Sequence, residues 1–243
     1  MLNNLSELID KLKQINSLES FEIIFQDICN ICDLEYYLFA SVKASSLIAP
    51  DIFVLSNYPS AWYKEYFNTD LKKYDPVVRY CFENSSPIIW SALEKNTKYC
   101  CPLGLQLMQN SRDGGLIDGL TVPIKAHSGE IFIFSLSTGR EDEIPKRLMN
   151  ALPNALYFAS TAVETYFRMD LGDSEMKPLT PKEKEALFWA CEGKTAWEIS
   201  KIMGITERTV NFHMSSVTEK LCAVNRQHAV AKATFNGLVK PNT

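Results

Sequence analysis

The chain has 243 residues, of which 46% are hydrophobic and 22% charged, with a formal net charge of −4. This length and hydrophobic content suffice for two domains with cores of their own, and they exclude an intrinsically disordered protein. The sequence has no apolar run near the ~18 residues that a membrane span requires and no apolar signal core at its start, so we expect a cytoplasmic protein.

The cysteines favour structural roles. There are seven, an odd number in a chain without a secretion signal, which indicates free thiols in a reducing compartment. Cys29 and Cys32 form a C-x-x-C, but they share one face of a predicted helix and lack a second pair or a nearby histidine. We therefore expect a buried helix face there, packing roles for Cys100 and Cys101, and neither a metal nor a cofactor.

The first 169 residues alternate between helical and strand patterns. The predicted helices, each with an apolar stripe or a cap, are 2–15, 20–33 (capped by Ser20), 59–68, 76–83, 102–110 and 145–169. The predicted strands, rich in aromatic and β-branched residues, are 35–43, 52–56, 87–90, 115–126 and 130–137. The last two form a hairpin. Helices that flank the strands at both ends of the domain predict a sheet covered on both faces, an α/β/α sandwich.

The chain is predicted to consist of this domain (1–169), a polar linker (170–177) and an all-α domain of four helices (178–243). Charge divides in the same way. From Lys177 onward ten basic residues stand against six acidic ones, which leaves +4 there and −8 in the rest. A mildly basic domain joined to an acidic body is expected when only one domain meets phosphates.

The all-α domain shows capped helices in close succession. Thr180 and Thr195 each precede a glutamate by three residues, the pattern of a capping box, and Thr206 caps a third helix. Gly193 and Gly204 end the first two helices. Only one residue separates Gly204 from Thr206, so the second and third helices are joined by a tight turn. Such a turn leaves the third helix with an exposed face, which is the geometry of a helix-turn-helix that reads the DNA major groove. A helical bundle used only for dimerisation is the alternative.

The third helix of this domain is predicted to be the recognition helix. Its inward stripe consists of Val210, Met214, Val217 and Leu221. The predicted base contacts are Asn211, Ser215 and, through its ring, Phe212, and the predicted phosphate contacts are Thr195, Lys201, Arg208 and Thr209. A solvated polar side chain without a role is the alternative for Asn211.

The first domain offers no recognisable catalytic apparatus. Its one histidine, His127, lies in the hairpin turn, and the domain has neither a phosphate-binding glycine motif nor a nucleophile elbow. We therefore do not expect an enzyme. Instead, aromatic residues at 58, 62, 63, 66, 67 and 90 cluster in the sequence around one acid, Asp75. On composition alone they could be core and rim aromatics, with Asp75 capping the helix that Pro76 begins.

Both domains resemble the LuxR-type quorum-sensing regulators. The segments EGKTAWEIS and ERTVNFHMSSV are similar to the helix-turn-helix of that family. Glu183, Leu187 and Gly193 match residues that the family retains at the corresponding positions. The matching residues of the first domain are Trp62, Tyr66, Asp75, Pro76, Trp90 and Gly119. The resemblance implies a regulator that senses an N-acyl-homoserine lactone, binds a palindromic promoter element as a homodimer and contacts RNA polymerase.

The same resemblance implies roles in the lactone pocket. Trp90 covers the lactone ring, and the indole N–H of Trp62 donates to the ring carbonyl. Asp75 caps its helix and keeps one oxygen free for the ligand amide N–H. Tyr58 and Ser135 serve the amide carbonyl.

Two further ligand questions stay open in the sequence. Tyr66 would pack along the acyl chain, whereas Tyr63 occupies a position that the family does not hold fixed. The sequence does not indicate the length of the acyl chain or a preference for a 3-oxo group.

The alternatives to a lactone-responsive regulator are a regulator of the same type that responds to a non-lactone small molecule or a protein partner, and, more remotely, an enzyme tethered to DNA.

The last predicted helix, 226–238, is capped by Asn225. Its small-residue face consists of Ala229, Ala233 and Leu238, with Val230 nearby. By resemblance this helix is a dimer contact, and small residues allow two helices to approach closely, so we expect a two-fold dimer that reads two half-sites. Packing against its own domain is the alternative.

Overall fold

The computed structural model describes residues 2–43, 50–126, 128–171 and 177–239. The chain divides into two compact units, the first built around a sheet and the second containing four helices. The predicted His127 turn and residues 172–176 of the predicted linker lie outside the described residues, so the domain boundaries stay a prediction. Within the described part of the chain, no helix combines the length and apolar character needed to cross a membrane.

The first unit contains a five-stranded sheet and two sets of helices. The helices are α1 (Leu2–Leu12), α2 (Leu18–Cys32), α3 (Ser60–Asn68), α4 (Pro76–Glu83), α5 (Trp90–Leu93), α6 (Pro102–Asp113) and α7 (Ile144–Arg168), with a 3-10 helix at Asp70–Tyr74. The strands are β1 (Tyr36–Lys43), β2 (Asp51–Ser56), β3 (Ile88–Ile89), β4 (Asp118–Lys125) and β5 (Ile131–Thr138). Their order is β2-β1-β5-β4-β3, and β5 pairs antiparallel with both β1 and β4.

Alternate side chains along the strands build a different layer on each face of the sheet. On one face α1, α2 and α7 enclose a core in which Phe39, Phe132 and Phe134 are fully buried. On the other face the shorter elements from α3 to α6 pack around Trp62 and Trp90. The predicted α/β/α sandwich is therefore confirmed.

Two predicted boundaries are wrong for local reasons. α2 begins at Leu18 because Ser17, not Ser20, is its N-cap, and the Ser17 hydroxyl accepts from the Ser20 amide at 3.3 Å. The segment 87–90 pairs as a strand only at Ile88–Ile89, after which the chain turns directly into α5.

The hairpin also begins later than predicted. The strand predicted from residue 115 starts at Asp118, because the chain before it completes α6. The amide of Gly114 donates to the Asn110 carbonyl at 2.9 Å, and Gly115 takes a positive φ of 96°. This turn delays the entry into β4.

The cysteine predictions hold for α2. Cys29 and Cys32 are free and buried in the core, and burial raises the pKa of Cys32 to about 12. Cys100 is buried as well, whereas Cys101 is partly exposed at the start of α6. In the described residues, no group of three or more His, Cys, Asp or Glu is arranged to hold a metal.

A buried guanidinium ties the ends of four elements together. Arg147 of α7 is only 5% exposed, and its Nε donates to the carbonyl and the carboxylate of Asp33, both at 3.1 Å. Its Nη2 donates to Glu35 at 2.8 Å and its Nη1 to the Thr138 hydroxyl at 2.9 Å. Asp33 is the C-cap of α2, with a φ of 54°, so this network fixes where α2 ends and β1 begins.

The second unit contains α8 (Pro181–Cys191), α9 (Ala196–Met203), α10 (Glu207–Lys220) and α11 (Arg226–Phe235). Both predicted capping boxes are formed, at Thr180 and Thr195, and Thr206 caps α10. Gly204 ends α9 with a φ of 66°, which lets the next cap follow within two residues. The predicted helix-turn-helix is thus built by its local signals.

Candidate ligand pocket and nucleic-acid interface

Asp75 lies where the 3-10 helix ends and α4 begins. Its Oδ1 accepts from the amides of Val77 at 2.8 Å and Val78 at 3.3 Å, so Asp75 is the N-cap of α4. Its Oδ2 accepts from the Tyr66 hydroxyl at 2.8 Å. Burial raises the pKa of the Asp75 carboxyl, and the three donors oppose that shift without cancelling it.

The bond from Tyr66 corrects one expectation. The sequence suggests that one oxygen of Asp75 remains free, but both oxygens already accept a hydrogen bond. A carboxylate oxygen can accept two, so Oδ2 keeps the capacity for one further N–H. Burial, followed by the neighbouring Asp75, raises the pKa of Tyr66 well above its usual value, so Tyr66 remains a donor that orients the carboxylate.

Trp62 supplies an indole N–H that has no hydrogen-bond acceptor in the part of the chain that the structure describes. Its side chain on α3 is 5% exposed and packs against Gly114, where an added Cβ would lie 2.9 Å from the Trp62 Cβ. The ring of Tyr66 lies beside it, with centroids 5.9 Å apart. Among the described residues no group accepts from the Trp62 indole N–H. This donor is therefore available to a bound molecule.

Trp90, in contrast, uses its indole N–H within the protein. The Nε1 donates to the Thr121 hydroxyl at 2.8 Å. The six-membered ring lies over Gly119 of β4, where an added Cβ would come within 2.9 Å of ring carbons. The close approach thus requires glycine at 119. Trp90 offers a ligand an aromatic surface rather than a donor.

A row of hydroxyls crosses the same face of the sheet. Thr121 and Ser135 are paired across β4 and β5, and their hydroxyl oxygens are 2.7 Å apart. Because an indole N–H only donates, the Thr121 hydroxyl accepts from Trp90 and can itself donate a hydrogen bond to Ser135. The Ser135 hydroxyl then retains a proton for a ligand carbonyl. Tyr58 lies beside Ser135, and its pKa is raised by burial.

The structure brings the predicted ligand-binding residues to one side of the sheet: Tyr58, Trp62, Tyr66, Asp75, Trp90 and Ser135. Together they present one acceptor, several donors and aromatic surfaces. The sequence analysis did not include Thr121, which links Trp90 to Ser135. The signal for it was a polar residue at an inward position of an apolar strand, but its partner depends on the strand register.

The outer face of α10 carries the predicted base contacts. Phe212 is 70% exposed, and Asn211 and Ser215 are exposed beside it. The opposite stripe from Val210 to Leu221 is buried, as predicted. The helix therefore presents the polar residues that the sequence analysis assigned to DNA.

The residues predicted to contact phosphates differ in whether their side chains are already hydrogen-bonded within the protein. Arg208 and Lys201 are exposed, with the Lys201 ammonium 5.6 Å from the ring centroid of Trp197. The Thr195 hydroxyl already donates to Glu198 at 2.8 Å within its capping box. A phosphate contact from that hydroxyl would have to replace this bond. Thr209 shares its hydroxyl with the Thr206 cap of the same helix.

A buried acid fastens α8 to α10. Glu183, 5% exposed, accepts from the Thr180 amide at 2.7 Å, from the Ser216 hydroxyl at 2.7 Å and from Lys220 at 2.7 Å. Burial alone raises the pKa of Glu183, but Lys220, Thr180 and Ser216 outweigh it and hold the pKa at about 2. Because the folded pKa is lowered, this stabilisation is present at neutral pH and is lost as the pH falls toward 2.

The last helix packs differently from the prediction. Ala229 and Ala233 of α11 are fully buried in the core of the second unit, so these two residues cannot form a dimer face. Small side chains here allow α11 to approach its own domain. Leu238 remains exposed, at 39%, and Asn225 caps α11 as predicted.

Two family models match the chain. Residues 17–166 match the model described as an autoinducer binding domain, and residues 177–233 match the model described as bacterial regulatory proteins, luxR family. The two matches together cover most of both units.

Curated relatives extend over nearly the whole chain. The transcriptional activator protein LuxR of Aliivibrio fischeri (strain ATCC 700601 / ES114) is 35% identical over 241 residues, covering 98% of this chain and 95% of that protein. The transcriptional activator protein AhyR of Aeromonas hydrophila is 32% identical over 212 residues, covering 86% and 81%.

A solved structure supports the fold. The structure of SdiA in complex with octanoyl-rac-glycerol matches with a TM-score of 0.83 and covers 100% of this chain and 98% of that chain. Since the sequence identity is 21%, this likeness concerns the fold alone.

Proposed function

Since the chain belongs to the luxR family of bacterial regulatory proteins, we propose that its ligand is an N-acyl-homoserine lactone and that it binds a palindromic promoter element as a homodimer. The chain is a ligand-responsive, DNA-binding transcriptional regulator and not an enzyme. We also propose that it acts in the cytoplasm, where promoter DNA lies, and that it contacts RNA polymerase, in keeping with the activator names of its relatives.

The observation that carries the ligand proposal is the pairing of an acceptor with unused donors. An acyl-homoserine lactone has one amide N–H and two carbonyl groups next to an apolar chain. Asp75 accepts the N–H, the free indole N–H of Trp62 serves the lactone carbonyl, and Ser135 with Tyr58 serves the amide carbonyl. Trp90 covers the lactone ring.

The acyl chain needs an apolar neighbour. Tyr66 is part of the aromatic cluster around Trp62, and its hydroxyl donates to Asp75. We propose that the acyl chain lies along this ring.

A non-lactone ligand is the second candidate. SdiA, which shares this fold, has been solved with octanoyl-rac-glycerol, a molecule with an acyl chain and no amide. Such a ligand would satisfy Asp75 only through a hydroxyl. A protein partner is a further alternative, but it would leave the Trp62 donor without an acceptor in the pocket.

Mass spectrometry of the bound molecule tests the proposal. The full chain is expressed with a mixture of acyl-homoserine lactones and octanoyl glycerol, purified and then denatured. We expect a released acyl-homoserine lactone at close to one molecule per chain. Release of the glycerol ester alone, or of no small molecule, contradicts the lactone assignment.

For DNA reading we propose that Asn211 and Ser215 contact base edges, that Phe212 makes apolar contact, and that phosphates are held by Thr195, Lys201, Arg208 and Thr209. Asn211→Ala is expected to cost ~1–3 kcal/mol at the preferred site and to relax sequence preference there. Lys201→Ala is the control, because a lost phosphate contact weakens all sequences alike and flattens the salt slope by about one. A binding-site selection in which Asn211→Ala keeps the same preferred sequence rejects the base assignment.

The homodimer needs a different surface from the one first predicted. With Ala229 and Ala233 buried, a contact through α11 would have to use its exposed side near Leu238. We propose a dimer in the ligand-bound and DNA-bound state, measured by light scattering. A protein mass near 27.6 kDa per complex would show a monomer and contradict it.

A further inference from the structure

Gly104 lies buried in the first turn of α6, inside a helix, where glycine is less favourable than alanine. An added Cβ at this position would lie 2.9 Å from the main-chain carbonyl oxygen of Tyr74 and 3.6 Å from Cδ of Pro76. Real Cβ atoms essentially never come within 3.0 Å of another heavy atom. The close approach of α6 to this stretch of backbone therefore requires a residue without a side chain.

The residue between Tyr74 and Pro76 is Asp75, the proposed acceptor for the ligand N–H. On the side of α4, two main-chain amides hold its carboxylate. On the side of the 3-10 helix, its own amide makes only a long hydrogen bond of 3.3 Å to the carbonyl of Lys72. The contact between the Tyr74 carbonyl and Gly104 is thus a main support of the backbone just before Asp75.

The start of α6 is itself held firmly to α4. Arg79 of α4 donates to the carbonyl of Tyr99 at 2.8 Å and to that of Lys98 at 3.2 Å, in the segment that leads into α6. Leu107, one turn after Gly104, is buried. Tyr74, in contrast, is 39% exposed. A side chain added at position 104 would therefore displace the turn at Tyr74 rather than the helix.

We propose that Gly104 is a positioning residue for ligand recognition, which holds the carboxylate of Asp75 in line with the amide N–H of the ligand. This inference rests on the proposed lactone pocket and adds to it a residue that acts through Asp75. A hydrogen bond to a charged acceptor is strong, but it weakens as the donor and the acceptor leave their preferred geometry. Alanine at position 104 should therefore weaken the bond to the N–H and spare the contacts to the two ligand carbonyls.

The test compares two ligands that differ only in the group facing Asp75. One is an acyl-homoserine lactone, and the other is its ester analogue of the same chain length, in which an oxygen replaces the amide N–H. Affinities of the full-length protein are measured for both. We expect the wild type to prefer the amide by about tenfold or more, because a site built to bond a polar group rejects ligands that lack it. Gly104→Ala should reduce this preference to within about threefold of unity.

Gly114→Ala, at the other end of α6, is the matched control. An added Cβ there would also lie 2.9 Å from a neighbouring atom, the Cβ of Trp62. Trp62 is proposed to serve the lactone carbonyl, which both ligands carry, so Gly114→Ala should weaken both alike and keep the preference for the amide. A substitution that only loosened the fold would do the same.

A double-mutant cycle gives a second measurement. In Asp75→Asn the charged acceptor is already lost, so adding Gly104→Ala should change the remaining preference by less than about twofold. A larger change would show that Gly104 acts on ligand binding by a route other than Asp75, which overturns the inference.

The remaining outcomes separate this inference from the proposed function. A wild-type preference that Gly104→Ala leaves intact overturns the role of Gly104 while the lactone pocket stands. A wild type that binds both ligands equally, or neither, overturns the proposed role of Asp75 and this inference with it. Should Gly104→Ala not fold, Arg79→Met is measured, because it frees the start of α6 from α4 without adding an atom beside Asp75. It should lower the preference in the same way, and an unchanged preference overturns the role of Gly104.

Discussion

Replacing Arg147 with methionine is expected to destabilise the first unit by about 3–5 kcal/mol. The buried guanidinium makes hydrogen bonds to Asp33, Glu35 and Thr138, and methionine can replace its volume but none of its donors. The carbonyl of Asp33 then loses partners at the point where α2 ends. The loss should appear as faster hydrogen exchange in α2, β1 and the end of β5 during urea titration of the full chain.

Arg140→Met is the matched control. Arg140 binds the same two carboxylates, Asp33 at 2.7 Å and Glu35 at 2.6 Å, but from the exposed side. Solvent screens an exposed ion pair, so its removal should cost a small fraction of the loss at Arg147. Equal losses for Arg140→Met and Arg147→Met would show that the shared carboxylates, and not the burial of Arg147, set the stability.

Exchanging Asp75 for asparagine is expected to weaken lactone binding by roughly 1.5–3 kcal/mol, which is about 10- to 150-fold, with little loss of fold. The asparagine carbonyl can still accept from the amides of Val77 and Val78, so α4 keeps its cap. The charged acceptor for the ligand N–H is lost. In addition, Tyr66 would have to turn its hydroxyl to accept from the new amide.

Asp118→Asn is the control for Asp75→Asn. Asp118 is also partly buried and also accepts from two amides, those of Gly119 at 2.8 Å and Ser91 at 3.1 Å. The substitution Asp118→Asn makes the same chemical change as Asp75→Asn but removes no proposed ligand contact. Ligand affinity and lactone-dependent reporter activity are measured for both variants. If Asp75→Asn retains wild-type values, the ligand is not held by this carboxylate.

Local sequence signals predicted the helix boundaries of the second unit well, because each N-cap there is formed by residues no more than four positions apart. Thr180 and Thr195 each form a capping box with the glutamate three residues later in the chain. Gly204 adopts its positive φ because glycine has no side chain, so no distant residue is required. The same logic failed at α2, where Ser17 and Ser20 are both plausible caps. The choice between them depends on which residues of α2 the core can bury.

The pocket was less predictable. The resemblance predicted pocket roles for Asp75 and Trp90, but it did not show that Tyr66 donates to Oδ2 of Asp75 or that Thr121 accepts the hydrogen bond of the Trp90 indole N–H. These contacts join elements that are far apart in the chain or depend on the pairing of β4 with β5. Likewise the sequence pattern of Ala229 and Ala233 is compatible with an exposed dimer face or with a face buried in its own domain. The packing of α11 against the second unit shows that this face is buried.

The Glu183 network has a consequence for how a ligand can control DNA binding. Because Glu183 and Lys220 hold α10 in place through side chains of the second unit alone, the helix is already ordered before it meets DNA. Little conformational entropy is then left to lose on binding, and little for a ligand to regulate inside this unit. In the proposed homodimer we therefore expect control to act through effective concentration: once one α10 is bound, a second copy held at the spacing of the other half-site binds as if within the same molecule. On this proposal the free energy gained from that second contact, rather than any change in the helix, sets the range over which a ligand can switch a promoter.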